Sequence, residues 1–290
     1  MDQNRTRALF ALTAAGLVWG LTVPLSKVAL GWLDPLWLGV ARFAIAAPIL
    51  ALVARRTLRG AMAPRVMAWG ALFYGAVVAV QNLGIERTSV SHAALIVGAV
   101  PVLVALTALV LGRASAGLSA WIGFIAALLG VGLVAGSGGE ASLVGDLLML
   151  ASGALSALFI VAQPRLLAGR DPVAVTAVQM AAGALAVTPI ALIFEGVGAS
   201  APTATQAWAL GGLILVGSVL PFALYAYGQA RVSVEVAGAF VNLEPLVGAA
   251  AGALVFQDPF GPVQTLGAAA ILVGVVLSAL GQGSRGPCPA

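Results

Sequence analysis

The sequence predicts an all-α membrane protein in which ten transmembrane helices form two inverted five-helix repeats. Composition is the first observation behind this reading: of 290 residues, 61% are hydrophobic and 8% charged, with a mean hydropathy of +1.07. A soluble domain carries about 25% charged residues, so charges this sparse cannot cover a water-facing surface. The other two observations are a one-sided distribution of arginines and an internal repeat.

Crossing the hydrocarbon core takes about 20 apolar residues at 1.5 Å rise each. Cutting the apolar runs at Gly, Pro and charge clusters gives segments at 8–30, 36–54, 66–83, 91–111, 118–136, 145–168, 173–194, 206–227, 235–256 and 263–281. None has the period-two alternation of a barrel strand, and backbone in lipid must satisfy its own hydrogen bonds, so each reads as a helix. Ten spans leave no room for a soluble catalytic or nucleic-acid-binding domain. The net charge of +4 therefore belongs to loop arginines and not to a basic binding face. Cys288 is the one cysteine, which excludes an intramolecular disulfide and a cysteine metal site. The first apolar run is too long for a cleavable signal and lacks a small-residue cleavage site.

With the N-terminus in the cytoplasm, the cytoplasmic segments hold Arg5, Arg7, Arg55, Arg56, Arg59, Arg65, Arg113, Arg165, Arg170, Arg231 and Arg285. The opposite loops hold only Arg87, together with Asp34, Glu86, Glu140, Asp146, Glu195 and Asp258. Lys27 and Arg42 fall within spans. This positive-inside bias places both termini in the cytoplasm of a multi-pass inner (plasma) membrane protein.

A shift of 144 residues aligns 84–139 with 228–283 without a gap and with 17 identities. Gly84 meets Gly228, Arg87 meets Arg231, Ser89-Val90 meets Ser233-Val234, and Pro101 meets Pro245. A shift of 137 aligns Gly16 with Gly153 and Asp34-Pro35 with Asp171-Pro172. The expected division is one repeat over 1–139 and a second over 140–290, ending in a short cytoplasmic tail. Five is odd, so the second copy is upside down relative to the first. Inverted repeats are a recurring device of secondary transporters, where the two copies enclose a site near the midplane.

Particular motifs then resemble a known family. Trp19-Gly20 lies in the first segment and Arg42-Phe43 in the second. The run from Asn82 to Leu111 contains Ser91, Ala93, Ala94 and Pro101 and closes with Leu111-Gly112-Arg113. The run from Ala237 to Asp258 contains Glu244-Pro245 and ends Val255-Phe256-Gln257-Asp258. In this order, twice over, they resemble the ten-helix EamA-type members of the drug/metabolite transporter superfamily. Arg113 and Gln257 stand where family members commonly carry an acidic residue. Within the family the chain looks most like bacterial inner-membrane amino-acid exporters of the YddG type. The resemblance implies efflux of small metabolites or drugs without ATP hydrolysis and without a cofactor. It also implies a cavity lined by helices 1, 3, 4, 6, 8 and 9, with 5 and 10 peripheral.

Polar side chains in lipid are expensive, about 2.5–3.5 kcal/mol for a central charge on insertion scales, and so face a cavity or a partner. Glu244, next to Pro245, reads either as a substrate-amine or proton site or as a buried structural carboxyl. Pro101 and Pro245 are the expected helix kinks, each removing a backbone donor. Arg42 can hold a substrate carboxylate, pair with Glu244, or snorkel to the headgroups; Lys27 reads as a snorkelling anchor. His92, the one histidine, has no companions for metal binding and no nucleophile to activate. It reads as a polar residue at the interface or helix cap, or as a pH-responsive group. Trp19, Tyr74, Gln81, Asn82, Gln163, Tyr225 and Asn242 add aromatic and amide surface suited to small amphiphiles, with Gln179 a further amide within a span. GxxxG motifs at Gly16–Gly20, Gly132–Gly136 and Gly248–Gly252 read as seams sealing the bundle of a monomer, with dimerisation the alternative use.

These features point to an exporter of amino acids or related small metabolites. The competing readings are a broad-specificity drug effluxer and a non-transport membrane scaffold. An intramembrane enzyme would need paired carboxylates, a histidine cluster or a Ser/Lys pair at one depth, and a channel a ring of like charges; none is present. The expected partners are the small-molecule substrate and membrane lipid, with no nucleic acid and no bound metal. A topology reporter fused at Arg285 should read cytoplasmic. A periplasmic signal would contradict both the span count and the repeat.

Overall fold

A computed structural model describes residues 3–112, 114–135, 142–197, 201–229, 243–280 and 282–284. Seven helical rods are long and apolar enough to cross a membrane: α1 Thr6–Ala29, α2 Pro35–Val53, α3 Pro64–Arg87, α4 Val90–Val110, α6 Leu143–Leu167, α7 Pro172–Phe194 and α8 Ala204–Tyr225. Three shorter apolar helices, α5 Leu118–Val134, α9 Leu243–Val255 and α10 Pro262–Leu277, stand at the remaining expected positions. The first half of the expected ninth span, with Asn242, lies outside the described residues, as do Arg113, Arg231, Arg285 and Cys288. Two three-residue strands, β1 Ala114–Ala116 and β2 Gln282–Ser284, pair antiparallel beyond the ends of α4 and α10.

The rods pack as an internal twofold requires. Helix α1 lies along α8 and, equivalently, α6 lies along α3, while α2·α7, α4·α9 and α5·α10 are symmetric self-pairs. The α5·α10 seam shows the symmetry at atomic scale. A Cβ on Gly130 would sit 2.6 Å from the carbonyl oxygen of Gly267, and one on Gly274 would sit 2.6 Å from that of Gly123. The 144-residue shift exchanges these two contacts. Backbones this close are possible only where both helices lack side chains.

The rods are not all regular. Helix α1 is interrupted at Gly20-Leu21, and α4 at Gly98-Ala99, two residues before Pro101. In α3 the turn Ala71–Val77 is π-helical, and in α8 so is Leu215–Val219. The two π segments begin 144 residues apart, so the irregularity belongs to the repeat itself. A π turn widens the helix and misaligns backbone groups, and it occurs mostly at functional positions.

Two of the small-residue motifs seal the bundle and one does not. Gly20 packs on Val247 and the Glu244 carbonyl oxygen, and Gly248 packs on Ala94. Gly132 faces open space, because the α5·α10 seam runs along Gly130, Gly267 and Gly274 instead. Gly130→Leu should therefore destabilise the protein by about 1–3 kcal/mol, the usual cost of overpacking, whereas Gly132→Leu should leave thermal unfolding in detergent unchanged or slightly raised. Equal effects of the two substitutions would contradict this seam.

Candidate functional site

The centre of the bundle is organised by Arg42. Its position on α2 is 5% exposed, so its guanidinium needs acceptors inside the protein. Helix α8 supplies them from its π segment: Nε donates to Ser218 Oγ at 2.6 Å and Nη2 to the Gly217 carbonyl oxygen at 2.8 Å. The Ser218 hydroxyl in turn donates to the Leu213 carbonyl oxygen at 3.0 Å, five residues back, which is π-helical spacing. The guanidinium also lies 5.0 Å from the centre of the Phe43 ring, within cation–π reach.

Three further groups converge on this cation. Thr22, just past the break in α1, has a buried hydroxyl with no hydrogen-bond partner among the described residues. A Cβ on Gly217 would lie 3.4 Å from that hydroxyl and 3.7 Å from Arg42 Nη2, which places both groups about one point. Tyr74 is buried with its ring 5.1 Å from that of Phe43, over which the guanidinium lies. Glu244, half-buried at the first turn of the described part of α9, packs its backbone carbonyl on Gly20, two residues before Thr22.

An aromatic lattice adjoins this cluster. Trp19 on α1 meets Phe222 at 5.0 Å and Tyr225 at 5.1 Å, both on α8. Phe222 reaches Tyr74 at 5.5 Å, and Tyr74 reaches Phe43 at 5.1 Å and Phe159 of α6 at 6.0 Å. Phe73 stacks on Phe159 at 3.9 Å. Such rings present apolar faces together with the polar tips of Trp and Tyr.

The amides separate into different places. Gln163 and Gln179 exchange two hydrogen bonds, at 3.1 and 3.0 Å, between α6 and α7. Gln179 is the 137-residue counterpart of Arg42, and its backbone presses on Gly70 at the foot of the other π segment. Asn82 is buried and donates to the Pro35 carbonyl oxygen at 2.9 Å, so it ties α3 to α2 and lies apart from the Arg42 cluster. Gln81 is half-buried. Pro245 packs on Gly98 at the break in α4. Ser218, Gly217, Thr22, Phe159 and Phe222 were not singled out by the sequence.

The loops sort by charge onto two faces. On the acidic face, Glu195 from the end of α7 accepts hydrogen bonds from the backbone N–H groups of Leu36 and Trp37 at the start of α2. Asp258 accepts from Ser91 N at 2.7 Å at the start of α4. Both place a carboxylate on a helix N-terminus, where backbone donors and dipole favour it. Gln206 of α8 donates to the Gly31 carbonyl oxygen, and the Ser142 N–H to that of Arg87. Lys27 donates to the carbonyl oxygens of Ile85, Glu86 and Thr88, closing the end of α3; it is a cap and not a snorkelling anchor. His92 is 2% exposed, buried and not interfacial, and its Nδ1 lies 3.1 Å from Asp146 Oδ2. All of these but the Lys27 contacts join the second repeat to the first on the acidic face.

Against this geometry stand the comparisons with known proteins. The sequence model of the EamA-like transporter family matches residues 6–136 and again 143–280. The chain belongs to the EamA-like transporter family. Three relatives from Archaeoglobus fulgidus, each named only as an uncharacterized transporter, agree with this. One is 28% identical over 255 residues, covering 84% of this chain and 86% of its own. A second is 27% identical over 208 residues, covering 72% and 74%, and a third 23% over 271 residues, covering 89% and 94%. A solved structure, described only as the crystal structure of a protein, superposes with a TM-score of 0.71 at 18% identity over 95% of this chain and 97% of that one. That likeness is one of fold. This EamA-like chain is thus a multi-pass membrane transporter.

Hydrogen bonds to a charged group contribute about 1.5–3 kcal/mol. Ser218→Ala and Arg42→Lys should each lower stability in detergent by that order. The double variant should be little worse than the worse single one, because both remove the same contact. Additive losses would show that Arg42 and Ser218 act independently.

Proposed function

We propose that this transporter exports amino acids, aromatic ones included, and related small metabolites by alternating access, as a secondary active or facilitative carrier. The observation that carries the reading is the convergence of Arg42, the Thr22 hydroxyl and the first turn of α9 at the break in α1: Gly217 lies against both Arg42 Nη2 and the Thr22 hydroxyl, and Gly20 packs on the Glu244 carbonyl oxygen. A zwitterion carries the charges complementary to Arg42 and Glu244. Its carboxylate suits the corner made by Arg42 and the unpartnered Thr22 hydroxyl, and its amine suits Glu244. The lattice of Trp19, Tyr74, Phe159, Phe222 and Tyr225 suits an apolar side chain. Of the remaining sequence candidates, Gln81 and Asn242 are kept as secondary contacts, while Asn82, Gln163 and His92 are engaged with Pro35, Gln179 and Asp146 and are assigned to holding the bundle.

The arginine-rich face is taken as cytoplasmic, with both termini there, in the inner (plasma) membrane. The closed acidic face is then external, and the conformer is one whose outer mouth is shut. The paired π segments in α3 and α8 are the points about which the rods bend as the halves exchange shapes. Arg42 holds one of these points directly, so a ligand that draws on the guanidinium also acts on the bend.

A second reading, export of lipophilic cations, is favoured by the same aromatic lattice beside the Glu244 carboxyl. Uptake of a labelled amino-acid panel into proteoliposomes, with and without a proton gradient, separates the two when lipophilic cations are added as competitors. For the amino-acid reading, Glu244→Gln should reduce uptake of zwitterions at least tenfold while abundance and thermal stability stay near wild type. Unchanged uptake at every pH in Glu244→Gln would refute a charge-dependent role for this carboxyl.

A further inference from the structure

Two hydroxyls near the centre of the bundle are buried without a hydrogen-bond partner among the described residues: Thr22, 7% exposed, and Ser26, fully buried. They stand four residues apart in the part of α1 beyond its break, so they share one face of the helix. A hydroxyl inside a helix commonly returns to the carbonyl oxygen four residues back, as those of Thr13, Ser156, Thr176 and Thr188 do here. Thr22 and Ser26 do not. Their donors are left open in a place where an unmet donor is costly.

The internal repeat shows what these positions face. The 137-residue shift carries Ser26 to Gln163, Arg42 to Gln179 and Thr22 to Phe159. In the second repeat the two glutamines meet and satisfy each other, and Phe159 fills its place among the rings of Phe73 and Tyr74. In the first repeat the same places hold a short serine, a short threonine and a guanidinium drawn towards α8. Of the five N–H donors of Arg42, Ser218 and the Gly217 carbonyl engage two, and the other three meet no acceptor among the described residues. Packing is also open on this side of α2. Gly39, one turn before Arg42, is buried, yet a Cβ there would have one atom within 4 Å, Asn82 Nδ2 at 3.6 Å.

We propose that Thr22, Ser26 and the open edge of the Arg42 guanidinium form one oxyanion site, and that a free carboxylate is the group by which this carrier selects its cargo. A carboxylate has about four lone-pair sites, enough for both hydroxyls and for one edge of the guanidinium. An amide brings a single oxygen and no charge, and an amine brings only donors to a place already full of them. The second repeat has no such site, because its glutamines are closed on each other. Ser26 is thus a further binding residue, and the handle is shared by amino acids, 2-oxo acids and aryl acids but not by their amides or by the matching amines. That the bound carboxylate belongs to cargo rests on the transport reading given for this protein; the site itself does not.

Thermal unfolding of the full-length protein in detergent tests this without a transport step. Phenylacetate, replacing chloride at constant ionic strength, should raise the unfolding temperature saturably, whereas phenylacetamide, of the same shape but neutral, should not. Ser26→Ala and Thr22→Val should each weaken phenylacetate binding by about tenfold or more, the effect of losing a hydrogen bond to a charged group. Without ligand the same two variants should be as stable as wild type or more so, because each deletes an unpaired buried donor. Ser91→Ala removes the third unpartnered hydroxyl, which lies against Gly252 and Asp258 on the acidic face, and should leave phenylacetate binding unchanged. Equal stabilisation by phenylacetate, phenylacetamide and chloride overturns the proposal, as does wild-type phenylacetate affinity in Ser26→Ala or Thr22→Val. Ligand-free destabilisation of both variants also overturns it, since the hydroxyls would then have partners. If phenylacetate binding needs both hydroxyls but proteoliposomes take up no amino acid, the site stands and the transport reading falls. If uptake persists while carboxylates bind no better than amides, the reverse holds.

Discussion

A guanidinium buried among lipid-facing helices must find hydrogen-bond acceptors, and a regular helix offers few that a neighbour's side chain can reach, because its carbonyls point along its own axis. Arg42 meets this constraint through a defect in a neighbour. The π segment of α8 exposes the Gly217 carbonyl and turns Ser218 towards α2. Both repeats keep the π turn, and the one in α8 is what satisfies Arg42. Everything else at the bundle centre is arranged about this pair, including Thr22, the break in α1 that brings Glu244 alongside, and the Tyr74 lattice.

The internal twofold sets the frame, and departures from it set the chemistry. Both copies keep the π segment, the self-paired rods and the glycine seam. At the position of Arg42 the second copy has Gln179, which satisfies itself with Gln163 and carries no charge. The acids that close one face become leucines and an alanine at the other. A carrier built this way can exchange the shapes of its halves while its charge stays on one side of the exchange.

Much of the architecture was legible in the sequence because lipid leaves few choices. An apolar run of sufficient length must be a helix, and the arginines and the repeat then fix how successive helices alternate. Helix ends were less legible. The third span was read as ending at 83, since Glu86-Arg87 looks like a loop, but Lys27 caps the carbonyls there and extends the helix to Arg87. Arg42 and Glu244 stood out as charges within spans. Ser218 did not, because a Gly-Ser step in an apolar run reads as packing, and a π turn has no local signature. His92 was read without its partner because Asp146 lies 54 residues away in the other repeat and was counted among loop acids.

The central claim is that a single site is presented alternately to the two sides of the membrane. Trans-stimulation tests it most directly. Proteoliposomes are loaded with the labelled amino acid that gives the highest uptake and diluted into buffer with or without the same amino acid unlabelled. A carrier that must return its site before releasing the next molecule returns faster when loaded, so external substrate should accelerate efflux of the label. Efflux that is unchanged or slowed by external substrate at every concentration would contradict alternating access and indicate a continuous path through the bundle.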